Sequence, residues 1–162
     1  MTSRQLFVKV AQCAVGRGTD ILVTLGLGSC VAILLHDPVA KVGGMAHVLL
    51  PDAALARDRS NPAKFASTAV PLLVEQLREA GARRERLEAR LAGGASMFTN
   101  LMTAGSLNMG ERNIVASREA LEALGIPVLA EDVGADYGRS VRFRVRDGRV
   151  VISSVGRDDV TL

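Results

Sequence analysis

Thr24-Leu25-Gly26-Leu27-Gly28-Ser29-Cys30 runs into Val31-Ala32-Ile33-Leu34-Leu35-His36, then Asp37-Pro38-Val39-Ala40, then Lys41-Val42-Gly43-Gly44-Met45-Ala46-His47-Val48-Leu49-Leu50-Pro51. Val31 to Leu35 and Val42 to Leu50 are short, apolar and rich in Val, Ile and Leu, so each reads as a buried strand. Asp37-Pro38 between them has Asp and Pro in the first two positions of a turn. A hairpin centred between Pro38 and Val39 opposes Leu35 with Val42, His36 with Lys41 and Cys30 with His47. Directly opposed residues share a face, with Cβ atoms about 4.5–5.5 Å apart. A bulge at Gly43-Gly44 is the foreseeable failure, because a shift of one residue turns His47 to the other face.

Working outward, Leu6 to Ala11 and Ile21 to Leu25 read as strands, and Gly26-Leu27-Gly28-Ser29 as a tight turn, since glycine accepts positive φ at little cost. Asn61-Pro62 starts a helix as N-cap and N1, with Phe65, Ala69, Leu72, Leu73 and Leu77 on one face and Gly81 as its stop. Pro71 inside that pattern predicts a kink. Leu87 to Ala92 is a strand ending at Gly93-Gly94. Glu111 to Leu124 is a second helix with Ile114, Leu121 and Leu124 as its apolar face. Val141 to Arg146 alternates, Asp147-Gly148 signals a type I′ hairpin, and Arg149 to Ser154 returns. The order β-β-β-β-α-β-α-β-β-β implies an α+β domain. A largely antiparallel β-sheet forms a layered sandwich with two main helices packed outside.

The chain has 162 residues, enough for one domain spanning 1–162 with its own core. Aromatics make up 3% and the net charge is +3, which disfavours nucleic-acid binding, a function that needs stacking faces and a strong basic field. No apolar run approaches the ~18 residues of a membrane helix, so no membrane insertion is expected. Met1 to Gln5 lacks the apolar core of an export signal, and Cys13 and Cys30 read as free thiols in a reducing compartment. The expected localisation is cytoplasmic, and the expected state a monomer.

The chemistry centres on Cys30 and His47. An imidazole beside a thiol favours the thiolate, which attacks an amide carbonyl, and the imidazolium then protonates the departing nitrogen. The main-chain N–H groups of the turn at Gly28 and Ser29, with that of Cys30, suit a tetrahedral oxyanion. The plainer reading is a buried cysteine that only packs. Cys13 reads as core and His36 as surface. Cys13, Cys30, His36 and His47 lack the short paired spacing of a zinc site, so neither a metal nor a cofactor is expected. Gly26 and Gly28 are not followed by the Gly-Lys-Ser/Thr of a P-loop.

Thr24 to Cys30, Gly44-Met45-Ala46-His47, Leu50-Pro51, Ala92-Gly93-Gly94-Ala95-Ser96-Met97-Phe98, Met109-Gly110-Glu111-Arg112-Asn113, Glu131-Asp132-Val133-Gly134 and Gly138-Arg139-Ser140 occur in this order along most of the chain. The set resembles CheD, the chemoreceptor glutamine deamidase family of bacterial chemotaxis. The resemblance implies Cys30 as nucleophile, His47 as base and Thr24 as third member, its oxygen accepting from the second ring nitrogen. It implies hydrolysis of glutamine side chains in chemoreceptor cytoplasmic helices to glutamate, with release of ammonia. It implies a CheC-type phosphatase as a partner and a fold similar to deamidating bacterial toxins. The alternative function is a non-catalytic regulator that binds a CheC-type phosphatase through the cysteine pocket.

Other features have two readings each. Gly93 and Gly94 either let the backbone approach a substrate or simply end a strand. Phe98 and Met97 are either a contact for substrate or partner or part of the core. Arg142, Arg144, Arg146 and Arg149 form either a solvated face or a basic stripe that docks on acidic receptor helices. Val141, Phe143, Val145, Val150 and Ile152 face the core in both cases.

Overall fold

The two strands of the deciding hairpin, β4 (Val31–Asp37) and β5 (Val42–Val48), are buried at every residue. Such continuous burial needs cover on both faces, and the computed structural model, which describes residues 3–96 and 108–162, supplies it. One sheet has the order β2-β5-β4-β6-β7, with β2 Gln12–Arg17, β6 Glu88–Gly93 and β7 Val128–Val133. The other has the order β1-β3-β8-β9-β10, with β1 Gln5–Phe7, β3 Ile21–Leu27, β8 Arg139–Arg144, β9 Val150–Ser153 and β10 Val160–Thr161. Helices α1 (Ala66–Glu79) and α2 (Met109–Ala123) pack on the outer face of the β4–β5 sheet.

Side chains on β4 alternate between two cores, as the period of two demands. Val31, Ile33 and Leu35 meet the helices with Leu73, Leu77 and Leu121. Ala32 and Leu34 meet the opposite sheet with Leu22, Val141 and Phe143. The result is three layers, sheet on sheet on helices. Among the described residues it is α+β with two main helices, and the strands divide into two mixed sheets. Each holds one parallel pair, β1 with β3 and β6 with β7, among antiparallel neighbours.

The hairpin register differs from the one expected. Val31 faces Val48, Ala32 faces His47 and Asp37 faces Val42, two residues away from a pairing of Cys30 with His47. The turn holds four residues, Pro38 to Lys41, because the Asp37 carboxylate accepts from Val39 N and Ala40 N at 3.0 Å each. Lys41 closes the turn with φ +54° and donates its N–H to Asp37 O. A slip of two residues keeps every side chain on its face, so His47 still points between the sheets. Gly43-Gly44 has no bulge. A Cβ on Gly43 would lie 2.8 Å from the Phe143 ring, and one on Gly44 2.7 Å from Leu73, so both glycines serve close packing on opposite faces.

The bulge sits in β3 instead. Thr24 faces Val141 and Leu27 faces Arg139, so Leu25 and Gly26 stand against Ser140 alone, with Gly26 at φ +67°. The tight turn is therefore confined to Gly28 and Ser29, where the chain leaves one sheet for the other.

Other boundaries also moved. The strand expected over Leu6 to Ala11 ends at Phe7, and Ala11, at φ +62°, turns the chain into β2 on the other sheet. Asn61 caps only a 3₁₀ turn, Pro62–Lys64. Phe65 is extended, and α1 starts at Ala66, whose N–H bonds to Leu50 O. α1 continues through Pro71. The last hairpin is not a type I′ turn. Arg144 N–H bonds to Arg149 O around four residues, and Gly148 has positive φ while Asp147 does not. His36, expected at the surface, is buried and bonds to Val145 O at 2.7 Å beside the Phe143 ring.

Candidate active site

Thr24 comes from one sheet and His47 from the other, and they meet between the layers. The Thr24 hydroxyl lies 2.6 Å from Val8 O and 2.7 Å from His47 Nδ1. A carbonyl oxygen can only accept, so the single hydroxyl proton goes to Val8 and the oxygen must accept from Nδ1–H. That assigns the tautomer, leaving a lone pair on Nε2. This atom is buried and has no hydrogen-bond partner among the described residues.

Cys30 joins the inter-sheet cluster that contains Ala32, the ladder partner of His47. Its thiol is free and lies at the margin of burial, 9% exposed. Burial pushes the Cys30 thiol up from its ordinary pKa, opposed by a hydrogen bond from its own main-chain N–H. Burial holds the His47 imidazole below its ordinary value, opposed by the nearby Val8 carbonyl. Desolvation disfavours the charged form of each group.

Three successive carbonyls hold the turn that carries Cys30. Gly28 O accepts from Ala95 N at 2.9 Å, Ser29 O from Asn113 Nδ2 at 2.9 Å and Cys30 O from Gly94 N at 2.8 Å. Gly93 and Gly94 therefore lie against the main chain of the cysteine. A Cβ on Gly93 would collide with Cys30 O, and one on Gly94 with Ile114. Phe98 and Met97 lie outside the described residues.

Cys13 sits in β2 opposite Ala46 and packs toward the helices, where burial pushes its thiol to about 11. Among the described residues no group of three or more His, Cys, Asp or Glu is arranged to hold a metal ion. Arg142, Arg144, Arg146 and Arg149 are exposed, while Val141, Phe143, Val145, Val150 and Ile152 are buried. Arg144 pairs with Asp147.

Asn113 carries no chemical signature of its own in the sequence. It is fully buried on α2, and its side chain contacts both Ser29 and Leu49. Its one signal is its place in the block Met109 to Asn113, which belongs to the set that carries the family resemblance.

Residues 49–154 match the family model CheD, described as CheD chemotactic sensory transduction. The chain is 45% identical to the probable chemoreceptor glutamine deamidase CheD of Caldanaerobacter subterraneus subsp. tengcongensis, over 96% of each chain. It is 47% identical to the chemoreceptor glutamine deamidase CheD of Thermotoga maritima, over 92% of this chain and 91% of that one. The crystal structure of the Bacillus licheniformis hypothetical protein YfiH covers 76% of this chain and 51% of its own, with TM-score 0.48 and 15% identity. By the family match and by identity over nearly its whole length, the chain belongs to the CheD family.

Proposed function

We propose that this protein is a chemoreceptor glutamine deamidase that uses Cys30 as nucleophile, His47 as base and Thr24 to orient the base. The names of its relatives support the reaction. The observation that carries the residue roles is the chain Val8 O, Thr24 hydroxyl, His47 Nδ1–H, which leaves Nε2 without a hydrogen-bond partner among the described residues, in the layer that also holds Cys30.

The thiol gives its proton to Nε2 as Sγ attacks the carbon of the glutamine carboxamide. The resulting oxyanion takes the Cys30 N–H. The imidazolium protonates the leaving nitrogen, ammonia departs and a glutamyl thioester remains. Water, deprotonated by Nε2, then displaces the thiol and yields glutamate.

The test treats a purified receptor cytoplasmic fragment with wild type, Cys30→Ala and His47→Gln and maps glutamine-to-glutamate conversion by mass spectrometry. Conversion by wild type alone is expected. Equal conversion by Cys30→Ala overturns the cysteine mechanism, and none by wild type overturns the reaction.

The same reading takes receptor cytoplasmic helices as substrate, a cytoplasmic location, a monomer and a CheC-type phosphatase as partner. Among the described residues no helix is long and apolar enough to cross a membrane. Kinship with deamidating bacterial toxins belongs to this reading too, supported by the motif resemblance and the layered α+β arrangement.

A further inference from the structure

Asn113 belongs to the buried stripe of α2 formed by Gly110, Asn113, Ile114, Ser117 and Leu121. Gly110 lets the first turn of the helix lie against the Gly94 and Ala95 carbonyls, where a Cβ would collide. One turn later Asn113 reaches the corner between the sheets. Its amide nitrogen donates to Ser29 O at 2.9 Å and to Leu49 O at 3.0 Å. These carbonyls lie just beyond Val31 and Val48, the last ladder pair of β4 and β5. Asn113 thus ties the nucleophile's turn to the strand of the base where the ladder has stopped.

The Ser29 carbonyl and the Cys30 N–H belong to one peptide. A trans peptide is planar, with its C=O and N–H pointing in opposite directions. Holding Ser29 O against α2 therefore turns the Cys30 N–H away from the helix. That N–H has no main-chain acceptor among the described residues. Of the three carbonyl ties at this turn, only the one to Ser29 sets the Cys30 N–H. The tie to Gly28 sets the Ser29 N–H and the tie to Cys30 sets the Val31 N–H.

Building on the proposed deamidase reading, we propose that Asn113 is a positioning residue that aims the Cys30 N–H at the oxyanion of the tetrahedral intermediate. It touches no reacting atom and acts through the Ser29–Cys30 peptide. The interaction is made only once the carbonyl oxygen becomes an oxyanion, so its loss lowers kcat and spares KM.

The test uses the whole chain with Asn113→Leu, which removes both donors at similar size, and Asn113→Ser, which keeps a small polar group if the leucine variant fails to fold. Two rates are measured for each folded variant. One is kcat and KM for deamidation of the receptor fragment. The other is alkylation of Cys30 by iodoacetamide, resolved from Cys13 by peptide mass spectrometry. Alkylation needs an activated, accessible thiolate but builds no oxyanion.

A misaimed oxyanion donor should cost about 10- to 100-fold in kcat, somewhat less than its outright removal. KM and the alkylation rate should stay within about threefold of wild type. A kcat that stays within about threefold in a folded variant overturns the proposal. So does a parallel fall of alkylation and kcat, which reports a disordered turn. Wild type that alkylates but converts no glutamine fails the deamidase reading itself, and the role of Asn113 falls with it.

Discussion

Replacing Thr24 with valine removes one oxygen and keeps the branched shape. The Thr24 hydroxyl joins two buried groups, Val8 O at 2.6 Å and His47 Nδ1 at 2.7 Å. Thr24, Val8 and His47 are each at most 2% exposed, so water cannot replace the lost partner. Each stranded buried group costs about 1–3 kcal/mol. Partial re-pairing of the ring with the Val8 carbonyl offsets some of this, leaving a net loss of about 2–4 kcal/mol. The catalytic effect has a separate cause. Without the hydroxyl only the partial re-pairing with the Val8 carbonyl favours a proton on Nδ1, so more of the ring carries it on Nε2, and an imidazole protonated at Nε2 cannot accept the thiol proton. The expected fall in kcat is about 10- to 100-fold, with Thr24→Ser retaining most activity. Urea unfolding reads the first effect and receptor-fragment turnover the second. A Thr24→Val protein with the predicted loss of stability but near wild-type kcat would refute the assignment of Thr24 as the group that sets the tautomer.

The Asp37 carboxylate is fully buried and accepts from Val39 N, Ala40 N, Arg83 N and Arg86 Nε. Asp37→Ala should therefore cost about 3 kcal/mol, moderated by the partly exposed Arg86, as a drop in urea midpoint. Burial raises the Asp37 pKa, but these donors outweigh it and hold the group below its ordinary value. Its contribution is thus present above the ordinary carboxylate range and lost as pH falls through the folded value, so the gap between wild type and Asp37→Ala should close in acid. For catalysis, kcat/KM should be flat between an acid limb below the ordinary imidazole value of about 6.5 and an alkaline limb above the ordinary thiol value of about 8.5. These limbs follow from the lowered His47 and the raised Cys30. An acid limb above the ordinary imidazole value would contradict a buried, neutral base.

Much of the hairpin was legible because burial imprints a local pattern. Continuous apolar runs marked β4 and β5, and alternation placed Val141, Phe143 and Val145 inside. The two-residue error in register left Cys30 and His47 on the inter-sheet face because side-chain direction repeats every two residues. The register itself was hidden, since a side-chain cap from Asp37 and a left-handed Lys41 lengthened the turn. The bulge lies at Leu25 and Gly26, and Gly43 and Gly44, where one was possible, pair without interruption. At Gly43 and Gly44 the constraint is space, set by Phe143 and Leu73 from distant parts of the chain.

By itself the sequence determined the α+β class with two main helices, the burial of both faces of β4 and β5, and a cysteine and a histidine with a common face. Only the tertiary structure decided that Thr24 meets His47 across two sheets. It likewise decided that Asn113, 84 residues from Ser29, closes the corner beside Cys30. Periodicity records which face of an element is buried, because that face must leave water wherever it lands. It does not record which buried face it meets, because that depends on packing between elements far apart in the chain.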